Sequence, residues 1–235
     1  MTRAQQERDP RTIPIYSTGE VASMLAVPTS TITSWAFGMR HGARIERQFQ
    51  PVIRAADREG RRLSFVNLIE LHVLVALLRH HKLELPAVRK AVRYLGGDHP
   101  LASEEFRTDG VNVFVERLGE LISASQEGQV AMREILEAGL QRVEREQHRA
   151  VRLFPFTRPA SDLGELKESP RLVAIDPRHR FGAPFLVGSG VDTETIWSRY
   201  QAGDSVSLLE SEFGASREAV EEAIRYHGRP RRMAA

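Results

Sequence analysis

Apolar residues near the N-terminus recur at helical spacing on both sides of a proline. In GEVASMLAVPTSTITSW, residues 19–35, the apolar positions fit two short helices with a break at Val27-Pro28. The residue before a proline is disfavoured in the α region, and proline suits the start of a helix. The pattern predicts a helix-turn-helix whose core contains Val21, Met24, Leu25, Ile32, Trp35 and Ala36.

Cap residues and hydroxyl side chains complete this motif. Ser17 or Thr18 is predicted to cap the first helix, with Glu20 in its first turn, and Thr29 or Ser30 to cap the second. Hydroxyl groups can reach phosphates and base edges, although they carry no charge. The second helix is expected to present four of them to solvent: Ser30, Thr31, Thr33 and Ser34.

A β-hairpin is predicted in PVIRAADREGRRLSF, residues 51–65, around an Asp-Arg-Glu-Gly turn. Two helices follow it, SFVNLIELHVLVALLRHH and PAVRKAVRYL, and Gly96-Gly97 ends the second. His80 and His81 are adjacent in sequence and do not share one helical face, so we expect exposed polar residues and no metal site. A hairpin after a helix-turn-helix is the layout of a winged DNA-binding domain.

The middle of the chain is predicted to hold a second hairpin, in EEFRTDGVNVFVE around Asp109-Gly110. Helices follow in RLGELISA and GQVAMREILEAGLQRVEREQ. The last of these carries an apolar stripe that packs on its own domain or, as the second choice, forms a dimer seam: Val130, Ile135, Leu136, Leu140 and Val143. LFPFTRPASDLGELKESP is predicted as a linker whose Phe154 and Phe156 dock on a neighbouring surface.

The C-terminal region alternates short apolar runs with helical patterns. Strands are predicted at 172–175 and 185–187, then helices at 193–201, 205–213 and 217–227, with Asp204 and Ser216 as caps of the last two. These helices form a compact three-helix module, itself similar to a helix-turn-helix. Its predicted apolar faces contain Ile196, Trp197, Tyr200, Val206, Leu208, Leu209, Val220, Ala223 and Ile224.

The predicted fold is therefore mainly α with short β-hairpins. We expect a winged helix-turn-helix domain at 1–98, a hairpin and helical connecting region at 99–153, a linker at 154–170, the helical module at 171–228 and a basic tail at 229–235.

The net charge of +2 conceals an uneven distribution. Residues 1–98 contain 15 Lys and Arg against nine Asp and Glu, a surplus of six, whereas 99–169 contain nine against 13. A basic N-terminal region favours an anionic partner, most commonly nucleic acid, although a solvated basic face without a ligand is the alternative. The arginines expected to contact DNA beside the hydroxyl-bearing helix are Arg40, Arg44, Arg54, Arg58, Arg61 and Arg62.

Composition also narrows the function classes. The chain has no cysteine, so disulfides, thiolate metal sites and a cysteine nucleophile are excluded, and a reducing cytoplasm fits. The polar N-terminus has no signal-peptide core, and the longest apolar run is too short to span a bilayer. No catalytic or metal-ligand spacing is present, and Gly188–Gly190 lacks the lysine of a phosphate loop. We expect neither an enzyme nor a cofactor.

The N-terminal region resembles the DNA-binding domain of MerR-type regulators over about Tyr16–Leu95. The resemblance lies in YSTGEVASMLAVPTSTITSW, SFVNLIEL and LPAVRKAVRYL. It implies a DNA-binding dimer on a two-fold site. Two features depart from that family: the second helix lacks an Arg beside its aromatic residue, and the effector-sensing cysteines are absent.

The C-terminal pattern IDP…FGAPFLVGSGVDTETIWSRYQAGDSV…LESEFGASREAVEEAIRYH is similar to the domain-of-unknown-function 433 family. Together with the N-terminal region, it resembles a VapB-type antitoxin of a type II toxin–antitoxin module. The resemblance implies that the chain neutralises a PIN-domain ribonuclease toxin by direct contact and represses its own operon.

A PIN nuclease gathers carboxylates around divalent metal, so an arginine entering that pocket could pair with them. The basic tail is therefore one candidate toxin contact, with a tail that serves solubility alone as the alternative. Aromatic residues of the module are further candidates, with core packing as the alternative for each. The candidate toxin-binding residues are Phe181, Phe185, Trp197, Tyr200, Arg229, Arg231 and Arg232.

Two other functions are compatible with the sequence. An effector-responsive MerR-like regulator would have no toxin partner, and a structural adaptor would have no DNA affinity. A stable complex with a small protein encoded beside this chain would favour the antitoxin.

Overall fold

The structure, a computed structural model, describes residues 9–40, 48–80, 83–160 and 162–231, with the backbone alone at 39, 40, 48, 49 and 80. Within these ranges the chain is mainly helical, as predicted. The α-helices are α1 (Thr18–Leu25), α2 (Thr29–Phe37), α3 (Phe65–His80), α4 (Leu85–Leu95), α5 (Val111–Ile122), α6 (Gln126–Leu140), α7 (Leu163–Glu168), α8 (Thr193–Gln201), α9 (Val206–Phe213) and α10 (Arg217–Gly228).

The β-structure consists of short antiparallel pairs. The strands are β1 (Tyr16–Ser17), β2 (Met39–Arg40), β3 (Gln48–Phe49), β4 (Arg62–Leu63), β5 (Val143–Glu146), β6 (Arg149–Leu153), β7 (Val173–Ala174) and β8 (Phe185–Leu186). The pairs are β1 with β4, β2 with β3, β5 with β6, and β7 with β8. An isolated bridge between Leu153 and Ile175 connects the β5–β6 hairpin to the C-terminal module.

The helix-turn-helix forms as the sequence predicts, except at one cap. Ser17 and Glu20 make a reciprocal capping box at the start of α1, and Ala26 ends the helix with φ of 52°. The N-cap of α2 is Pro28 and has no side-chain hydrogen bond, so the predicted cap by Thr29 or Ser30 is wrong. Trp35 is buried in the core.

One apolar core joins the first two predicted regions. It extends from Tyr16 to Ile175 and is centred on α3, which packs against α1, α6 and β6. Nearly every described side chain of α3 is buried, which explains why its sequence is mostly apolar on all sides. Residues 1–98 and 99–153 therefore share a core across the predicted division at His99.

The hairpin predicted around Asp109-Gly110 is wrong. Phe106–Gly110 is a π-helical turn that continues directly into α5. Gly110 has the helical φ of −66°, and a Cβ there would lie 3.1 Å from a ring carbon of Phe106, so the ring packs closely on the glycine. The alternating apolar residues also fit one helical face, since Val111, Phe114 and Val115 are all buried.

A hairpin does occur in the connecting region, but later in the chain. The helix predicted through residue 147 ends at Leu140 as α6, and Val143 begins β5. Gln147 and His148, with φ of 48° and 65°, turn the chain into β6. On α6 itself, Ile135, Leu136 and Leu140 are buried, whereas Val130 is 49% exposed and does not belong to the buried stripe.

The predicted linker is packed against the rest of the molecule. Phe156 is buried as expected, stacked on His72 with 5.2 Å between ring centroids, while Phe154 is half-buried. The buried guanidinium of Arg142 donates to four backbone carbonyls of this segment and lies 4.7 Å from the centre of the Phe156 ring. These contacts fix the path from β6 to the C-terminal module.

The C-terminal module has its predicted strands and three helices. Its core contains Ile196, Leu209, Val220 and Ala223, together with the unpredicted Tyr226. The remaining predicted apolar positions lie nearer the surface: Leu208 and Tyr200 are exposed, and Trp197, Val206 and Ile224 are half-buried. Ser205, not Asp204, caps α9, because Asp204 pairs with Arg199.

Candidate nucleic-acid interface and C-terminal partner surface

Helix α2 presents fewer hydroxyl groups than the sequence predicts. Ser30 is exposed, and Thr31 and Thr33 are half-buried. Ser34 is only 8% exposed, so its predicted position on the solvent-facing side is wrong. It lies between Ile32 and Trp35 in the sequence, on the part of the helix that turns toward the core. The accessible polar surface of α2 is therefore its N-terminal half.

The N-terminal end of α2 also exposes backbone donors. No side chain caps the helix, and residues 29 and 30 are exposed. The first N–H groups of a helix have no intrahelical partner, and the helix dipole favours an anion there. The N–H groups of Thr31 and Ile32 donate to the Pro28 carbonyl. In place of a basic side chain, the helix therefore offers the N–H groups of Thr29 and Ser30, which have no acceptor within the described ranges, beside the Ser30 hydroxyl.

The predicted wing is a tight turn anchored to β1. Asp57 and Arg62 exchange two backbone hydrogen bonds of 3.1 and 3.0 Å, and the Asp57 carboxylate accepts from the Gly60 N–H. The strand that follows pairs with Tyr16–Ser17 and not with residues 51–55, so the predicted hairpin is shorter than expected.

The wing arginines differ in their hydrogen-bond, ion-pair and ring contacts. Arg58 is exposed and makes no hydrogen bond or ion pair within the ranges that the structure describes. Arg61 is exposed, and its guanidinium lies 4.8 Å from the Phe37 ring centre. Arg62 donates to the Ile15 carbonyl at 3.1 Å, and Arg54 pairs with Asp98 on the surface. Of the four wing arginines, Arg58 and Arg61 are thus the two without a hydrogen-bond or ion-pair partner in the described ranges.

Direct contacts join the wing region to α2. The Trp35 carbonyl accepts from the N–H groups of Val52 and Ile53, at 2.7 and 3.2 Å. Phe37, under the guanidinium of Arg61, is the last residue of α2. Helix α2 and the wing therefore form one unit with two features that attract anions, the N-terminus of α2 and the exposed wing arginines.

A buried asparagine fixes the base of the wing. The Asn67 side chain donates to the Arg54 carbonyl at 2.7 Å and accepts from the Ala56 N–H at 2.9 Å. It also donates to Glu70, whose other partner is the His99 ring at 3.0 Å. Burial raises the pKa of Glu70, and the hydrogen bond to Glu70 raises the pKa of His99. None of these three residues was predicted as part of the site.

Two of the arginines predicted to contact DNA have no described side chain. Arg44 lies outside the described residues, and of Arg40 only the backbone is described, in β2. Three cations of α4 were not among the predicted DNA contacts: Arg89, Lys90 and Arg93. Lys90 and Arg93 are exposed, and Arg93 hydrogen-bonds Gln50 just before the wing, so α4 extends the basic surface.

Two arginines from distant parts of the chain satisfy the end of α1. Arg79 donates to the carbonyls of Leu25 and Ala26, both at 2.7 Å. Arg229 donates to those of Ser23 and Met24, both at 3.2 Å, and also to Phe156 and Tyr226. Burial lowers the pKa of Arg79 to about 10 and also lowers that of Arg229. The last carbonyls of the first helix are thus bound by guanidinium groups.

The basic tail is consequently not one free segment. Arg229 belongs to the packed structure, whereas Arg231 is exposed and Arg232 lies outside the described residues. Whether any of the three contacts another protein stays a prediction.

The aromatic candidates of the module separate by exposure. Phe185 is buried against the ring of His179, as its core-packing alternative predicts. Phe181 is 88% exposed and Tyr200 is 40% exposed. Trp197 is half-buried, stacked on His227 with 5.9 Å between ring centroids.

Within the described ranges, no group of three or more His, Asp or Glu side chains could hold a metal ion. None of the helices in the same ranges has the length and apolar character needed to cross a membrane.

Comparisons with known proteins agree with this two-part architecture. Residues 14–92 match a family model described as "Putative DNA-binding HTH domain", and residues 173–227 match DUF433, a protein family of unknown function. The chain is 28% identical over 232 residues to "Putative antitoxin VapB45" of Mycobacterium tuberculosis, covering 90% of this chain and 93% of that protein.

A solved structure shares the fold along almost the whole length. The crystal structure of Rv2018 from Mycobacterium tuberculosis matches with a TM-score of 0.63 and 23% identity, covering 91% of this chain and 98% of that one.

The chain is thus a helix-turn-helix protein with a C-terminal DUF433 domain. Over both domains the chain is similar to a protein named a putative VapB antitoxin, in agreement with the resemblance seen in the sequence.

Proposed function

We propose that this protein is the antitoxin of a type II toxin–antitoxin module, which inhibits a PIN-domain ribonuclease and binds operator DNA to repress its own transcription. The observation that carries the proposal is the similarity to an antitoxin across both domains, together with a helix–wing unit suited to DNA. The protein acts by binding, with no chemical step of its own.

DNA binding is supported by the geometry of α2 and the wing. The N-terminus of α2, with Ser30, would meet a phosphate or a base edge in the major groove. Arg58 and Arg61 on the adjacent wing would pair with phosphates of the flanking backbone. Such a unit covers one half-site, so a homodimer on a two-fold operator is part of the proposal.

Fluorescence anisotropy with a labelled duplex from the region upstream of the coding sequence tests the DNA half. We expect affinity to fall steeply with salt, because phosphate contacts release counterions. A scrambled duplex of equal length is the control for specificity. Equal affinity for the two duplexes at physiological salt would contradict operator recognition.

Toxin inhibition requires a stoichiometric complex with a PIN-domain protein. The chain and the PIN-domain protein would be co-expressed. Size-exclusion chromatography would then measure formation of the complex, and an RNA-cleavage assay would measure inhibition of the ribonuclease. Recovery of the chain alone, with retained affinity for its upstream DNA, would instead indicate an effector-responsive regulator.

The structure changes how a role of the tail should be tested. Removing every residue after His227 would also delete Arg229, which is packed against α1 and the segment at Phe156. Weaker inhibition could then result from a damaged fold. Replacing Arg231 and Arg232 by Ala isolates the remaining basic residues. Unchanged inhibition by that variant would remove the tail from the toxin interface.

A further inference from the structure

A cleft separates the DUF433 domain from the helix-turn-helix. Its volume is about 410 Å³, within the range of roughly 300–1,000 Å³ that is common for ligand sites. The helix-turn-helix contributes Glu20, Ser23 and Met24 of α1, and the DUF433 domain contributes Phe181, Glu194 and His227. We call this space the interdomain cleft.

The loop carrying Phe181 is held tightly at this cleft. Arg180, Phe181 and Gly182 all have positive φ, at 43°, 55° and 78°. The Tyr16 hydroxyl donates to the Gly182 carbonyl at 3.3 Å, and a Cβ at Gly182 would lie 1.8 Å from that hydroxyl oxygen. The close approach therefore requires glycine, and it fixes the neighbouring Phe181 in an unfavourable backbone conformation.

Phe181 is the most exposed of the large apolar side chains in the described ranges, at 88%. Removing a phenylalanine side chain from water is favourable, and aromatic residues are enriched in protein interfaces. A rigid loop that presents such a side chain beside a cleft suits a protein contact better than a flexible one, because less conformational entropy is lost on binding.

The charge of the cleft selects the partner. Three carboxylates line it, those of Glu20, Asp192 and Glu194, against one guanidinium, Arg180, which pairs with Asp192. His227 adds no charge near neutral pH, because burial lowers its pKa. Glu194 has 70% of its side chain exposed and can accept a further donor.

Aromatic residues continue the surface away from the cleft. Trp197 stacks on His227 and lies one helical turn after Glu194, with Tyr200 3 residues further on α8. The exposed aromatic side chains are thus Phe181, which lines the acidic cleft, and Tyr200, which follows Glu194 and the half-buried Trp197 along α8.

We propose that the interdomain cleft is the docking site for a segment of the partner toxin that inserts a basic side chain beside Glu194 and packs an apolar side chain on Phe181. The inference rests on the proposed function and adds that the toxin touches both domains, since the cleft is incomplete without α1.

Isothermal titration calorimetry with the purified PIN-domain protein recovered in the co-expression experiment tests the docking site. We expect Phe181→Ala and Glu194→Lys each to weaken binding at least tenfold, and Glu20→Gln to weaken it two- to threefold. Tyr94→Ala at the end of α4 and Glu116→Lys on α5 change exposed residues outside the cleft in the same way, and these variants should bind within twofold of the wild type. DNA affinity should stay at the wild-type value in every variant, and so should thermal unfolding, except for a small loss in Glu194→Lys, which places a cation in the first turn of α8.

The possible outcomes distinguish an incorrect docking site from an incorrect proposed function. If the wild type binds the PIN-domain protein and the cleft variants bind it equally well, the site is wrong and the antitoxin function stands. Equal weakening by the control substitutions would also overturn the site. If the wild type shows no binding at all, the proposed function fails, and the docking site fails with it.

Discussion

The guanidinium of Arg229 donates a 3.2 Å hydrogen bond to the carbonyl oxygen of Met24, 205 residues earlier in the chain. One residue follows the last helix of the DUF433 domain, and the other belongs to the first helix of the helix-turn-helix. Tyr226 reinforces the contact, with its hydroxyl 3.5 Å from the same carbonyl. The two domains are thus joined at the end of α1, next to the turn that leads into α2.

Replacing Arg229 by Ala should destabilise the protein by roughly 2–3 kcal/mol, because backbone carbonyls lose a charged donor. Urea unfolding measures the change. Arg231→Ala, two residues later on the surface, should change stability by less than about 0.5 kcal/mol. Equal stability of the two variants would contradict a structural role of Arg229.

Removing the wing cations should weaken DNA binding, because these side chains neutralise backbone phosphates. We expect Arg58→Ala with Arg61→Ala to lower affinity about tenfold and to reduce the slope of log K against log salt by about 0.9 for each phosphate that is no longer neutralised. Anisotropy titrations at several salt concentrations give both quantities. Arg217→Ala, an exposed arginine of α10, should leave both unchanged. A slope unaffected by the wing variant would exclude pairing of these arginines with phosphate.

Adding a negative charge at the N-terminus of α2 should have opposite effects on the stability of the protein and on its affinity for DNA. Ser30→Asp should maintain or slightly raise stability, because a carboxylate there complements the helix dipole, yet it should abolish binding by repelling phosphate. Ser207→Asp is the matched control, because Ser207 is exposed and is likewise the second residue of its helix, α9. Full DNA affinity of Ser30→Asp would show that α2 does not enter the groove.

Acid should destabilise the protein through His72. Its ring donates to the Gly139 carbonyl at 3.1 Å, and burial lowers its pKa to about 3. Between the unfolded value of about 6.5 and pH 3, the unfolded state binds the proton and the folded state does not. Stability therefore falls as pH decreases through this window, by up to about 1.4 kcal/mol per pH unit from this residue.

His72→Gln retains a donor for Gly139 and cannot titrate. We expect it to be less stable than the wild type at pH 7, with a smaller loss of stability between pH 6.5 and 4. Chemical unfolding at a series of pH values provides the comparison. Parallel stability curves for the two proteins would rule out His72 as a source of the pH dependence.

Local sequence was sufficient for much of this fold. The break at Pro28, the Ser17–Glu20 capping box and the glycine that ends α9 depend on neighbours a few residues away, so their conformations follow from short-range preferences. The same holds for the apolar periodicity of α1, α2, α8 and α10. Both domains were therefore predictable, as was the basic character of the wing.

Tertiary contacts decided the rest. Asp109-Gly110 has the sequence of a turn, but packing of the residues around it makes a helix more favourable. Ser34 is polar and still buried, because its position on α2 faces the core. Arg229 looks like part of a free basic tail, yet it binds carbonyls more than 200 residues away. Spacing along the chain cannot reveal such partners, because burial and long-range hydrogen bonds depend on how distant elements pack.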